Sequence, residues 1–216
     1  SENLLQTANK ILTNILSLID TNGTLCMPTH PYYKNDPGFM FDKSDLICTY
    51  DPQKTISRVG IINEIFRRKK ETKRSFHPLS SLSVIGPLSD FLLENNLNET
   101  KPLPHGISSS YYKFYKKNGL VISIGIPLAS TMTIFHCGDE IRDLEWPVDN
   151  FFYERVFKVV ISSEATEYIV RERRPEFVRC LCTKKRRKDL LREGILHEAS
   201  VNGIRVDWAQ SKDVVD

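Results

Sequence analysis

Leu4, Ala8, Ile11, Leu12, Ile15 and Ile19 recur at three- and four-residue intervals, the spacing that lines one face of an α-helix. It predicts an amphipathic helix that stops before the turn pair Asn22-Gly23. The short apolar run TLCMP is then expected as a buried strand, stopped by Pro28. A loop rich in Pro, Asp and aromatics, THPYYKNDPGFMFDKSD, leads into a second strand at 46–50. Ser57 stands where it can cap a helix over 58–70, with Ile61, Ile62, Ile65 and Phe66 as the buried stripe. SLSVIG reads as a strand, and PLSDFLLEN as a helix with Pro87 at its start. Ser108–Ser110 are placed to cap YYKFYKKN, and Gly119 ends that helix before a strand at 120–125. TMTIFHCGDEI (131–141) is expected to be helical.

Beyond Pro147 the strand period takes over. YERVFKVVIS and TEYIVRE are expected as strands, and EFVRCLCTKKRRKDLLREG as one or two helices. LHEASV and IRVDWAQ, joined by Asn202-Gly203, read as a hairpin with a type I′ turn. Helices and strands alternate over most of the 216 residues. That pattern argues an α/β sandwich with a C-terminal α+β portion, folded as a single domain over 1–216.

Composition changes this picture little. Apolar residues make up 40% and charged residues 26% of the chain, ordinary for a soluble protein. No apolar run approaches the roughly 20 residues that span a bilayer, and the N-terminus lacks the basic start of a secretory leader. A cytoplasmic protein with no membrane partner is expected. The five cysteines are odd in number and follow no repeating spacing, and Cys180-Leu-Cys182 is wrongly spaced for a zinc knuckle. Reduced thiols and no metal are the expectation.

The net charge of +3 is unevenly distributed. Residues 171–192 are dense in Lys and Arg, but Phe177 is their lone aromatic. A solvated helix face, with no nucleic acid bound, is therefore the reading of KKRRK (184–188); a non-catalytic binding protein working through 184–188 is the alternative from another class. Asp139, Glu140, Asp143, Glu145 and Asp149 crowd the opposite sign into eleven residues. They form either a solvated acidic loop or one wall of a cleft for a cation.

Candidate chemistry centres on His136. On a helix, Thr133, His136 and Asp139 or Glu140 share a face. A histidine so placed accepts a proton near neutral pH, and a carboxylate in reach orients its ring or binds a cationic substrate. The other reading is a satisfied structural histidine. Asp51 has two readings as well, facing a substrate or making an Asx turn at DPQ. YDPQKTISRVG, RSFHPLSS, HGISSS and SIGIPLASTMTIFHCGDE gather small and hydroxyl residues at element junctions, where α/β folds bind ligands.

Tyr50-Asp51-Pro52, Thr55, Ser57, Gly60, Glu64 and Arg67 are followed by Arg74-Ser75-Phe76-His77-Pro78 with Ser81 and Gly86. Gly106, Ser109, Gly125 and Thr133-Ile134-Phe135-His136 with Asp139 come next. In this order the motifs resemble the aminoglycoside 3-N-acetyltransferase family, from Gly23 to at least Asp143 and more loosely to the C-terminus. The resemblance implies an α/β/α sandwich with a central mixed sheet. It implies an acetyl-CoA-dependent enzyme that acylates an amine of an aminoglycoside or related amino sugar in a ternary complex. His136 would be the general base beside Asp139. Arg67 and Arg74 would meet the coenzyme's phosphates, and Ser75, His77, Ser81 and Ser109 would line the coenzyme or acyl channel. Asp51, Thr133, Glu140 and Asp143 would face the amine acceptor. A nucleotide-linked amino sugar is the alternative acceptor.

Two departures accompany the resemblance. Asp139 stands where the family usually has glutamate, one methylene longer. The family normally begins with a strand ending in an HSS-like loop, whereas this chain opens on the helix that follows; either the sequence is incomplete as given or that part of the site is missing. Other acetyltransferase patterns are absent: RVGIIN (58–63) lacks the second glycine of a phosphate loop, and no hexapeptide repeat occurs.

Overall fold

The computed structural model describes residues 2–37, 41–128, 133–142, 148–178 and 183–216. Helix α1 (Glu2–Ser17) opens it, resting on a narrower stripe than the spacing predicts: Ala8 and Leu12 are buried, whereas Leu4 and Ile11 stay exposed. Strand β1 (Leu25–Pro28) pairs antiparallel with β4 (Leu82–Ile85), which also pairs with the two-residue β3 (Lys73–Arg74). In a second sheet β2 (Cys48–Tyr50) runs parallel to β6 (Phe152–Ile161), and β6 antiparallel to β7 (Glu164–Arg173). The third sheet places β9 (Ile204–Gln210) between β5 (Leu120–Ile124) and β8 (His197–Val201). The remaining helices are α2 (Ile61–Arg67), α3 (Ser89–Leu93), α4 (Ser110–Lys116), α5 (Phe135–Glu140), α6 (Pro175–Val178), α7 (Thr183–Arg192) and α8 (Ser211–Val215).

The architecture is thus mixed α/β, and among the described residues the strands form three small sheets. Both hairpins turn through two residues with positive φ, the geometry that suits the right-handed twist of paired strands. At Asn202-Gly203 (φ 50° and 76°) the sequence announces it. At Ser162-Ser163 (φ 50° and 73°) it does not; β6 has the length its pattern gives, whereas β7 starts two residues sooner than expected, right after that turn.

Two caps were expected. Ser109 caps α4, its Oγ accepting from the Tyr112 N–H at 3.0 Å. Ser57 does not cap α2, which starts after Gly60. Gly60 has φ 134°, where a side chain is strained. Ser57 instead donates its own N–H to Glu64 Oε2 at 2.8 Å.

The main core joins Leu82 and Val84 of β4, Leu92 and Leu93 of α3, Tyr111 of α4, Cys137 of α5, Ala209 of β9 and Val215 of α8, with Ile134 just ahead of α5. Burying each such aliphatic side chain stabilises the fold by about 1.5–3 kcal/mol. Ile134 and Cys137, 3% and 0% exposed, pin the inner face of the short α5. Gly138 lets it approach α8: a Cβ there would lie 3.3 Å from the Val215 carbonyl oxygen. Among the described residues no helix is long and apolar enough to cross a membrane.

Candidate active site

With Ile134 and Cys137 turned inward, α5 presents His136 and Asp139 outward. The Thr133 carbonyl accepts the His136 N–H at 3.1 Å, so Thr133 shapes the turn that enters the helix. The His136 side chain is 29% exposed, and its Nδ1 lies 3.6 Å from Asp139 Oδ2. Nδ1 is buried and too far from that oxygen for a full hydrogen bond. The same Asp139 oxygen accepts from Arg173 Nη2 at 2.9 Å. Arg173 comes from the end of β7, and its guanidinium lies 5.1 Å over the Phe151 ring. Burial opposes the charge on Asp139, but hydrogen bonding and the charges of His136 and Arg173 outweigh it and hold the carboxyl below its ordinary range.

Glu140, expected at the acceptor, is turned the other way. It is 5% exposed, and both oxygens are engaged by His105: the backbone N–H reaches Oε2 at 2.7 Å and the ring Nδ1 lies 2.8 Å from Oε1. A carboxylate one position along a helix points about 100° away, which puts Asp139 outside and Glu140 inside. Burial pushes the Glu140 carboxyl up to about 7 and the His105 imidazole well below its ordinary value. The His105 ring packs 5.0 Å from that of His136 and 4.9 Å, edge-on, from Tyr111.

Burial likewise holds His77 down at about 4 and His30 at about 3. Four of the five histidines therefore gather in one electrostatic neighbourhood. Among the described residues, His105 Nε2, Tyr111 Oη and Arg173 Nε are buried there without hydrogen-bond partners. Among the described residues no three His, Cys, Asp or Glu side chains are placed to hold a metal ion.

The six expected coenzyme contacts, Arg67, Arg74, Ser75, His77, Ser81 and Ser109, are all buried, none more than 9% exposed. Arg67 donates to Glu64 at 2.8 and 2.6 Å and to the Gln53 carbonyl at 2.6 Å. Arg74 donates to Ser81 Oγ at 2.9 Å, to the carbonyls of Pro52 and Thr55 at 3.2 and 2.5 Å, and to that of Thr29. Its guanidinium also lies over Tyr50. Both guanidinia are buried, and within the fold Arg67 makes three hydrogen bonds and Arg74 four of the five that a guanidinium can donate. Ser81 donates to the Thr29 carbonyl at 2.7 Å, and Ser75 Oγ accepts from the Leu82 N–H at 3.0 Å. His77 Nδ1 accepts from the Leu79 N–H at 3.3 Å.

Asp51 makes the Asx turn, accepting from the N–H groups of Gln53 and Lys54 at 2.8 and 3.1 Å. Asp143, with Glu145, lies outside the described residues, as does Cys180-Leu-Cys182; Asp149 is exposed. Sequence reasoning missed Arg173 and His105 as neighbours of His136. Arg173 stands within the basic stretch, but nothing local ties it to a carboxylate 34 residues away.

No curated protein sequence matches this chain. Its fold matches those of solved acetyltransferases. AAC(3)-Xa aligns with TM-score 0.75 at 19% identity, covering 96% of this chain and 77% of that one. AAC-IIIb, solved as a binary complex with CoASH, gives 0.76 at 14% identity over 96% and 80%. A histidine-to-alanine variant of AAC(3)-IVa in complex with a gentamicin gives 0.68 at 19% identity over 93% and 70%. The model of the aminoglycoside 3-N-acetyltransferase family matches residues 2–216, so the chain belongs to that family and is an aminoglycoside N-acetyltransferase with acetyl-CoA as its cosubstrate.

Proposed function

We propose that His136 is the general base of the transfer, oriented by Asp139, which Arg173 anchors in turn. The observation that carries this reading is the partly exposed imidazole whose buried Nδ1 faces a carboxylate held ionised by a buried guanidinium. An alkyl ammonium has no lone pair, so a proton must leave before its nitrogen can attack a carbonyl. With the Nδ1 proton directed at Asp139, the lone pair of Nε2 is left to take the ammonium proton. The imidazolium that forms is stabilised by the Asp139 charge 3.6 Å away. Acetyl-CoA supplies the thioester carbonyl. On transfer the new N–C bond replaces the C–S bond, and the thiolate leaves to take up a proton.

The acceptor in this reading is a polycationic aminoglycoside, the class to which the gentamicin bound to the AAC(3)-IVa variant belongs. We place the activity on one domain over 1–216, layered as an α/β/α sandwich and working in the cytoplasm. A nucleic-acid role gains no support from α7: Arg186 lies 4.6 Å over the Phe135 ring and Arg187 pairs with Glu198. The acidic wall expected beside His136 is thinner than its sequence suggests, because Asp139 is neutralised by Arg173 and Glu140 is buried.

Thiol release from acetyl-CoA, measured across cationic aminoglycosides and nucleotide-linked amino sugars at low and high ionic strength, tests the reading. Turnover confined to the cationic acceptors is expected. A preference for the anionic nucleotide-linked acceptors would overturn it.

A further inference from the structure

Helix α5 carries a second histidine–carboxylate couple behind the first. Glu140 grips His105 at two points, the backbone N–H and Nδ1, which fixes the residue in place and its ring in rotation. That ring then packs against His136 at 5.0 Å and an interplanar angle of 42°. The side chains of both His105 and Glu140 are nearly sealed from solvent, 6% and 4% exposed. A buried ion-pairing group held this firmly is costly unless something offsets the desolvation. The core beside it, with Ile134, Cys137 and Tyr111, needs no charge to pack.

We propose that His105 and Glu140 are positioning residues for the reaction: together they fix the His136 ring and set its affinity for a proton. This rests on the reading of His136 as the base. The groups facing the couple are His136, Asp139 and Cys137 of α5, Arg173 of β7, Tyr111 of α4, and the buried His77 and His30. Of these, Asp139 faces His136 directly but is shared with Arg173, and Glu140 is a second, inner carboxyl whose charge also acts on His136. Ionised Glu140 favours the imidazolium at His136, and its neutral form does not. His105 supplies the rigid contact and keeps a donor on Glu140, helping that buried carboxyl to ionise near neutral pH.

Three variants separate charge from contact. Glu140→Gln keeps the shape and removes the charge. His105→Phe keeps a ring against His136 and the backbone N–H on Glu140 but removes the imidazole partner of Oε1, so Glu140 stays protonated to higher pH. His105→Asn keeps a donor near the Nδ1 position and removes the ring. The readout is the titration midpoint of His136, followed by long-range proton–nitrogen NMR on the full chain labelled at histidine, without substrates. Glu140→Gln and His105→Phe are expected to lower that midpoint by about half a pH unit or more, while His105→Asn stays near the parent. In turnover assays the first two should lower kcat by about three- to ten-fold with the KM for acetyl-CoA unchanged. A merely structural couple would not move the midpoint in the isosteric Glu140→Gln. An unmoved midpoint in both Glu140→Gln and His105→Phe overturns the proposal even where His136→Ala abolishes turnover. A moved midpoint together with a fully active His136→Ala would support the coupling and overturn the base assignment instead.

Discussion

Arg74 and His136 sit in motifs of equal standing in the sequence, yet their surroundings differ in kind. Around Arg74 the polar network is closed: its guanidinium bonds to Ser81 and to the carbonyls of Pro52, Thr55 and Thr29, and Ser81 closes the ring onto Thr29. Around His136 the network is open. Among the described residues, His136 Nδ1, His105 Nε2, Tyr111 Oη and Arg173 Nε find no hydrogen-bond partner, and the His136 ring reaches the surface. A closed network fixes geometry and has little capacity left for a ligand; an open one keeps polar atoms in reserve for chemistry. Charge and motif alone do not distinguish the two, since a buried arginine and a reactive histidine are both unusual residues in a core.

The sharpest way to break the comparison is His136→Ala. The open region should answer in rate: turnover is expected to fall by about 10²–10⁴-fold with thermal stability almost unchanged, because the side chain is partly exposed. Steady-state thiol release and a melting curve on the same preparation check both halves. Retention of more than about a tenth of the parent rate near neutral pH would make His136 a structural residue.

Arg74→Met should do the reverse. Removing the guanidinium takes a donor at once from the carbonyls of Pro52, Thr55 and Thr29, of which Thr29 keeps Ser81, and a loss of about 3–5 kcal/mol is expected in urea unfolding. The fraction that remains folded should keep a near-parental kcat. A variant of parental stability that binds acetyl-CoA poorly would restore Arg74 to the coenzyme site.

Between these extremes lies Arg173→Met, which removes the anchor of Asp139 but leaves His136 and Asp139 in place. A fall in kcat of about ten-fold is expected, with a higher pH needed for full activity of the Asp139-dependent step as its carboxyl returns toward the ordinary range or above. An unchanged pH profile would show that Asp139 holds its charge without Arg173.

How much of this was legible follows from the range of each interaction. The His136–Asp139 spacing is a local property of a helix, and α5 realises it. The Ser109 cap and the Asn202-Gly203 turn are local too, and both formed. Glu140 was misplaced because helical spacing alone gives it and Asp139 adjacent faces; which one is inward depends on Ile134 and Cys137 meeting a core assembled from β4, α3, α4 and α8. Arg173 and His105 arrive through β7 and the loop before α4, connections that periodicity does not encode. The closed hub around Arg74 was hidden for another reason: most of its partners are carbonyl oxygens, present at every residue and therefore invisible in the sequence.

The smallest expected effect concerns pH and stability, where the buried groups of the open region oppose one another. The Glu140 carboxyl sits at about 7 against an ordinary 4.5. Between those values the folded chain holds a proton that the unfolded chain has lost, so its contribution is full below 4.5 and fades as pH rises toward 7. His77 and His30 sit at about 4 and about 3 against an ordinary 6.5. They are neutral when folded and charged when unfolded in that window, so their contribution is full above 6.5 and fades as pH falls. In the parent these slopes partly cancel. Glu140→Gln removes one of them, so stability should climb more steeply with pH: relative to the parent, the variant should gain on the order of 1 kcal/mol between about pH 5 and about pH 7 in urea unfolding. Parallel curves for the two proteins would mean that Glu140 carries the same charge folded and unfolded, and the inward carboxylate of α5 would then differ from Asp139 in position alone.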